Sequence, residues 1–144
     1  MPLIILAHSI VFFLNYVFII EYKQLTPMFF NSDNNPIAEA VYVFMSVVFP
    51  EIKETDVEVI HTDLTEDNVF GWTLINNDQN EIEIHNDLSE RDYVTTLIHE
   101  LIHVKQNVQG VTDDTIREGE AYELENTLAD IFLTGNSYRM LKQC

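Results

Sequence analysis

Residues 90–110 read ERDYVTTLIHELIHVKQNVQG and contain the motif H-E-x-x-H between His99 and His103. Ser89 before this stretch and Asp92 within it are typical of a helix N-terminus, and Gly110 is a typical C-terminal stop. The pattern predicts a helix over Glu90–Gln109 that passes through a hydrophobic core. Its apolar positions follow helical spacing: Val94, Leu97, Ile98, Leu101, Ile102, Val104 and Val108.

The two histidines of the motif are four residues apart, so a helix places them on one face, where they can bind the same metal ion. Two neutral imidazoles and one carboxylate are a typical ligand set for a single catalytic Zn²⁺, which keeps an open coordination position. Glu100 follows His99 directly and is the candidate general base for a water molecule at that position. The motif therefore predicts hydrolysis of an amide bond.

A third ligand is expected from a second helix, predicted over residues 118–133. We expect Glu120 to be this ligand because it lies near the buried face, with Glu123 as the alternative. Glu125 also flanks that face, whereas Glu118 precedes Gly119 at the expected frayed start of the helix. The buried face was predicted from the 3.6-residue spacing of Ala121, Leu124, Leu128, Ile131 and Phe132.

The segments HELIHVKQ and EGEAYELE together resemble the gluzincin branch of the zincin-like metallopeptidases. They are similar to the small SprT-like and ImmA/IrrE-like domains, in which an E-A pair on the following helix supplies the last zinc ligand. Glu120-Ala121 matches that pair. The resemblance implies a zinc-dependent peptidase with one Zn²⁺ and a polypeptide substrate. Peptide deformylases share the motif but need an upstream cysteine ligand, and the single cysteine here is Cys144.

The remaining elements predict an α+β domain with a small antiparallel sheet, the minimal zincin-like layout. A helix is expected over residues 37–48, before Pro50. Strands are expected over residues 57–61, 69–75 and 81–85, and apolar and polar residues alternate in the first and the last of these.

The resemblance also implies that the strand before the metal helix is a sheet edge, which pairs with an extended peptide substrate. In this chain that strand is the one predicted over residues 81–85. Glu81 and Glu83 alternate along it, so we expect it to favour substrates that carry basic residues.

The N-terminal segment over residues 3–20 is almost wholly apolar and reaches the lower limit for a membrane-spanning helix. Lys23 after it favours a cytoplasmic position for the rest of the chain. The alternative is a soluble cytoplasmic protein in which this segment is a buried helix or a pair of strands. We therefore divide the chain into residues 1–33, an apolar segment and linker, and residues 34–144, the metallopeptidase domain.

The composition limits the partners. The chain of 144 residues has 24 acidic and 7 basic residues and a formal net charge of −17. Such a charge excludes nucleic acid as an expected partner, because phosphate binding needs a basic surface.

Several further residues are candidates of lower rank. His61 and His85 have no partner at metal-ligand spacing, so we expect them to be surface or core-edge residues. Tyr122, Tyr138 and Arg139 are candidates for stabilising an oxyanion. The alternative function is a non-catalytic zinc-binding regulatory or interaction module with a degenerate peptidase fold.

Overall fold

The computed structural model describes residues 30–76 and 79–135, which form an α+β fold with four strands and three α-helices. A 3₁₀ helix at Pro50–Glu54 follows the first helix. The elements in chain order are β1 (Phe30–Asn31), α1 (Pro36–Val48), β2 (Asp56–Thr62), β3 (Gly71–Asn76), β4 (Gln79–His85), α2 (Glu90–Gln109) and α3 (Asp114–Thr134).

The sheet has the order β1-β2-β4-β3 and is mixed. β1 and β2 are parallel, β2 and β4 are parallel, and only β3 and β4 form an antiparallel pair. The prediction of an antiparallel sheet is therefore wrong. The hairpin of β3 and β4 places β4 between β3 and β2. β4 therefore runs in the same direction as β2.

This order also corrects the prediction about the sheet edge. Among the described strands, β4, the strand before the metal helix, pairs on both sides, whereas β3 pairs only with β4. The burial pattern of β4 gives the physical reason. Asn80, Ile82 and Ile84 are all buried on the helix side, which suits a central strand better than an edge strand.

Helix α2 lies at the centre of the core and contacts α1, α3, β3 and β4. Between Val94 and Gln106, its side chains are buried on nearly all sides of the helix. This burial explains the broad apolar surface of its sequence and holds the motif within a packed environment. The fully buried apolar residues of α2 are Val94, Leu97, Ile98, Leu101, Ile102 and Val104.

Helix ends follow local side-chain chemistry. Ser89 Oγ accepts a hydrogen bond from the Asp92 backbone N–H, and Gly110 has the left-handed φ of 74° that ends α2. Helix α3 begins at Asp114, four residues before the predicted start. Asp113 caps it by accepting from two backbone N–H groups, so Glu118 lies in the second turn and not at a frayed end.

The N-terminal predictions lie largely outside the described residues. The predicted membrane segment, residues 3–20, is not among them, and no helix within residues 30–76 and 79–135 is long and apolar enough to cross a membrane. Phe30 and Asn31, which were predicted to be part of the linker, form β1. Phe30 also stacks on Tyr42 of α1, with ring centroids 4.1 Å apart.

Candidate metal centre

The two motif histidines point toward each other from successive turns of α2. His99 Nε2 and His103 Nε2 are 3.1 Å apart. Both side chains are largely buried, with 12% and 8% of their surface exposed. The structure thus brings the two predicted histidine ligands together, with the Nε2 atom of each ring facing that of the other.

The other ring nitrogen of each histidine is held by a hydrogen-bond acceptor. His99 Nδ1 lies 2.6 Å from Glu125 Oε2, and His103 Nδ1 lies 2.8 Å from Gln106 Oε1. The orientation of the Gln106 amide is fixed, because its Nε2 donates to Arg117 O and Glu120 Oε1. Acceptors beside both Nδ1 atoms favour the tautomer with its proton on Nδ1, which leaves the Nε2 lone pair of a neutral imidazole available to a metal ion.

The carboxylate that faces these lone pairs belongs to Glu118. Its Oε2 lies 3.2 Å from His99 Nε2, and its Oε1 lies 3.0 Å from His103 Nε2. Ligand atoms of these three residues all lie within 4.8 Å of one another, close enough to bind a metal ion. Glu118 is about half exposed, so solvent reaches the centre from its side.

Glu120, the predicted third ligand, does not join the histidines in the structure. Its Oε1 accepts from Lys105 Nζ at 2.6 Å and from Gln106 Nε2 at 3.1 Å. Lys105 lowers the pKa of Glu120 through this hydrogen bond, so the carboxylate stays ionised beside a buried ammonium group. The alternative, Glu123, is exposed on α3.

The helical phase explains this difference. Glu118 and Glu125 are seven residues apart and therefore lie on the same stripe of α3, with the small residue Ala121 buried between them. That stripe faces the histidines of α2. The sequence signal was the Glu-x₆-Glu spacing around Ala121, which the prediction missed because it placed Glu118 at the frayed start of the helix.

The donor set can hold a cation. The two Nε2 atoms lie 3.1 Å apart, and each lies 3.0–3.2 Å from an oxygen of the Glu118 carboxylate. Two imidazole lone pairs and a carboxylate at this distance repel one another unless a positive charge lies between them, either a proton on an Nε2 atom or a metal ion. A metal ion with nitrogen and oxygen ligands meets this need.

Glu100 is buried, with 5% of its surface exposed, and its side chain is fixed by the sheet. Thr73 Oγ1 on β3 donates to Glu100 Oε2 at 2.7 Å. The pKa of Glu100 is raised, and burial of its carboxyl is the largest cause. The hydrogen bond from Thr73 and the two histidines oppose this rise, whereas Glu118 adds to it. A carboxylate whose pKa is raised is a stronger base than an ordinary carboxylate, which suits a group that accepts a proton.

An open cleft of about 560 Å³ reaches His99 and Glu100. Its floor is the N-terminal half of α2, one wall is the segment 68–71, and the other wall is α3. Tyr122 lies in that second wall, and its ring meets the His99 ring edge-on with centroids 4.9 Å apart. The cleft gives an extended ligand access to the candidate metal centre.

The lower-ranked residues divide as follows. His61 Nε2 lies 2.7 Å from Tyr93 Oη, and His85 Nδ1 accepts from the Leu64 backbone N–H at 3.0 Å. Both are tied into the fold away from the motif histidines, as expected. Tyr122 lies at the centre, and Tyr138 and Arg139 are outside the described residues.

Comparison of the chain with protein-family models, with curated proteins and with solved structures finds no match. The functional interpretation therefore depends on the residues of the site.

Proposed function

We propose that the protein is a zinc-dependent metallopeptidase in which His99, His103 and Glu118 bind one Zn²⁺. The observation that carries this proposal is the convergence of two imidazole Nε2 atoms and the Glu118 carboxylate, with Glu100 buried beside them. Zinc is the proposed ion because two histidines and one carboxylate are its common ligand set at catalytic sites. A bound Zn²⁺ supplies Lewis acidity, which acidifies a water molecule and polarises the scissile carbonyl.

The residues of the chain then perform the proton transfer. Glu100 accepts a proton from the attacking water as the C–O bond forms, and it delivers this proton to the leaving amine as the C–N bond breaks. Thr73 holds the Glu100 carboxylate in place through the 2.7 Å hydrogen bond. Glu125 and Gln106 fix the tautomers of the two histidines, so neither ring rotates away during turnover.

The experiment is peptide hydrolysis by the full chain loaded with zinc, compared with Glu100→Gln. The variant keeps the shape of the side chain but cannot carry the proton, so kcat should fall at least about 100-fold. Zinc content, measured on the same samples, should stay equal. Hydrolysis that is unchanged in Glu100→Gln would contradict the proposed role of this residue.

The non-catalytic zinc-binding module remains the alternative. The burial of Glu100 and its bond to Thr73 also suit a residue that only links α2 to β3. The same pair of proteins separates the two functions. Equal zinc content without hydrolysis of any peptide in a broad mixture would favour the module.

A further inference from the structure

The cleft beside the candidate metal centre has an apolar mouth. Of the six large apolar side chains that are exposed within residues 30–76 and 79–135, three line this cleft: Val69, Phe70 and Tyr122. Their exposed fractions are 36%, 54% and 64%. Exposed apolar side chains are ordinary when scattered, but a group of them around one concave site marks a binding surface.

Both walls of the cleft are held rigidly. Phe70 O accepts from the His85 backbone N–H at 2.8 Å, which extends the pairing of β3 with β4 to the wall itself. On the other side, Arg91 of α2 binds Asp130 and the Asn126 carbonyl of α3, so the helix that carries Tyr122 is fixed to the floor. The apolar side chains are therefore presented in a preformed arrangement, which lowers the cost of binding.

Gly71 sets the width of the cleft at the end of the first wall. A Cβ at this position would lie 2.8 Å from Thr96 Cγ2 and 3.0 Å from the Glu83 carbonyl oxygen. The absence of a side chain lets β3 approach α2 closely, so Phe70 stays near the residues that line the floor.

The charges of the cleft disfavour an acidic ligand. Its lining includes Asp92, Glu100 and Glu125, and Glu118 lies beside His99. Among the residues that line it, Arg91 is the cation, and its guanidinium is already paired with Asp130. Apart from the metal ion itself, a carboxylate in the cleft would face more negative than positive groups.

We infer that this cleft is the specificity pocket of the site and selects peptides with a large apolar residue, and not an acidic one, next to the cleaved bond. Val69, Phe70 and Tyr122 cover that side chain from the two walls. This inference rests on the proposed function, since it assigns a substrate class to the same metal centre.

The experiment measures binding rather than turnover. The probes are three hydroxamates, HONH–CO–CH₂–CO–X–NH₂, with X as Leu, Gly or Asp, titrated calorimetrically into the zinc-loaded full chain. The hydroxamate anchors each probe at the metal, so differences among the three report on the cleft. The Leu probe should bind about tenfold more tightly than the Gly probe, and the Asp probe should bind more weakly than the Gly probe.

Phe70→Ser should bring the ratio of the Leu and Gly affinities close to one. Ile75→Ser is the matched control, because Ile75 is a large apolar residue of β3 that is 63% exposed and does not line the cleft. It should leave the ratio as in the wild type. Equal affinities of the three probes in the wild type, or tightest binding of the Asp probe, would overturn the inference. Failure of all three probes to bind would instead contradict the metal centre of the proposed function.

Discussion

At the scale of single residues, the centre depends on which atom of each side chain is free. Glu125 and Gln106 occupy the Nδ1 atoms of the two histidines, so only the Nε2 atoms can serve as ligands. The Glu118 carboxylate completes the set, whereas the Glu120 carboxylate is used by Lys105. Glu118 and Glu120 lie only two positions apart on α3 and yet have different partners.

Single substitutions should distinguish the roles of Glu118 and Glu120 in zinc binding. Glu118→Ala should weaken zinc affinity at least about 100-fold, more than the loss of an outer-shell partner. Glu120→Ala should weaken it about tenfold or less, because Glu120 contacts Gln106 and Lys105 and not the histidines. Competition with a coloured zinc chelator measures both affinities. Glu123→Ala, an exposed position on the same helix, is the control, and the opposite ranking would restore Glu120 as the ligand.

The sequence was sufficient to bring His99 and His103 together, because both lie in one helical motif, whereas the catalytic role of Glu100 stays a prediction. It was insufficient to identify the carboxylate beside the histidines, because that choice depends on how the second helix packs against the first. The Asp113 cap starts this helix one turn earlier than predicted, so Glu118 lies on an ordered turn. Glu125 and Gln106 were missed for a related reason, since both act through contacts between side chains.

At the scale of elements, α2 and α3 are joined by a partly buried ion pair close to the metal centre. Lys105 of α2 is 7% exposed, and its ammonium group bonds Glu120 of α3 and lies 4.5 Å from the centre of the Phe49 ring. Such a pair aligns the two helices that carry the proposed ligands. Loss of this ion pair should therefore lower the stability of the fold more than it disturbs the positions of the proposed metal ligands.

Glu120→Gln should lower the free energy of unfolding by about 1 kcal/mol at pH 7, since Lys105 then lacks its counter-charge and Glu120 itself is partly exposed. Lys105 holds the pKa of Glu120 below its ordinary value of 4.5. A carboxyl with a lower pKa in the folded state stabilises the fold above its unfolded pKa, and this contribution is lost as the pH falls through the folded pKa.

The difference in the free energy of unfolding between wild type and Glu120→Gln should thus have its full value above about pH 5 and decrease in more acidic solution. Urea unfolding at a series of pH values measures it, with metal-free protein throughout. Glu123→Gln is the control and should match the wild type. A difference that stays constant into strong acid would show that the ion pair is not its source.

At the scale of the whole molecule, the metal centre lies where a helix at the middle of the core meets the last described helix. The order of the strands could not be predicted, because alternation identifies strands but not their neighbours. The burial of both helix-facing isoleucines of β4, Ile82 and Ile84, is the feature that fits its central position. This order leaves β1 and β3 at the two edges of the described sheet, and Thr73 of β3 contacts Glu100.

Metal binding should stabilise the entire fold, because the ligands come from two helices that unfolding separates. Zinc at about 100 times its dissociation constant should add roughly 2.7 kcal/mol. The melting temperature should therefore rise by at least about 5 °C. Differential scanning calorimetry with zinc and with a chelator measures the shift. His103→Ala should remove it, and an equal shift in that variant would place the metal elsewhere.

X-ray absorption spectroscopy of the zinc-loaded full chain tests the metal centre most directly. We expect one zinc per chain, with two imidazole nitrogens and one carboxylate oxygen at about 2.0–2.1 Å and the remaining position filled by oxygen. A zinc ion surrounded only by oxygen, without the outer-shell scattering of two imidazole rings, would contradict it.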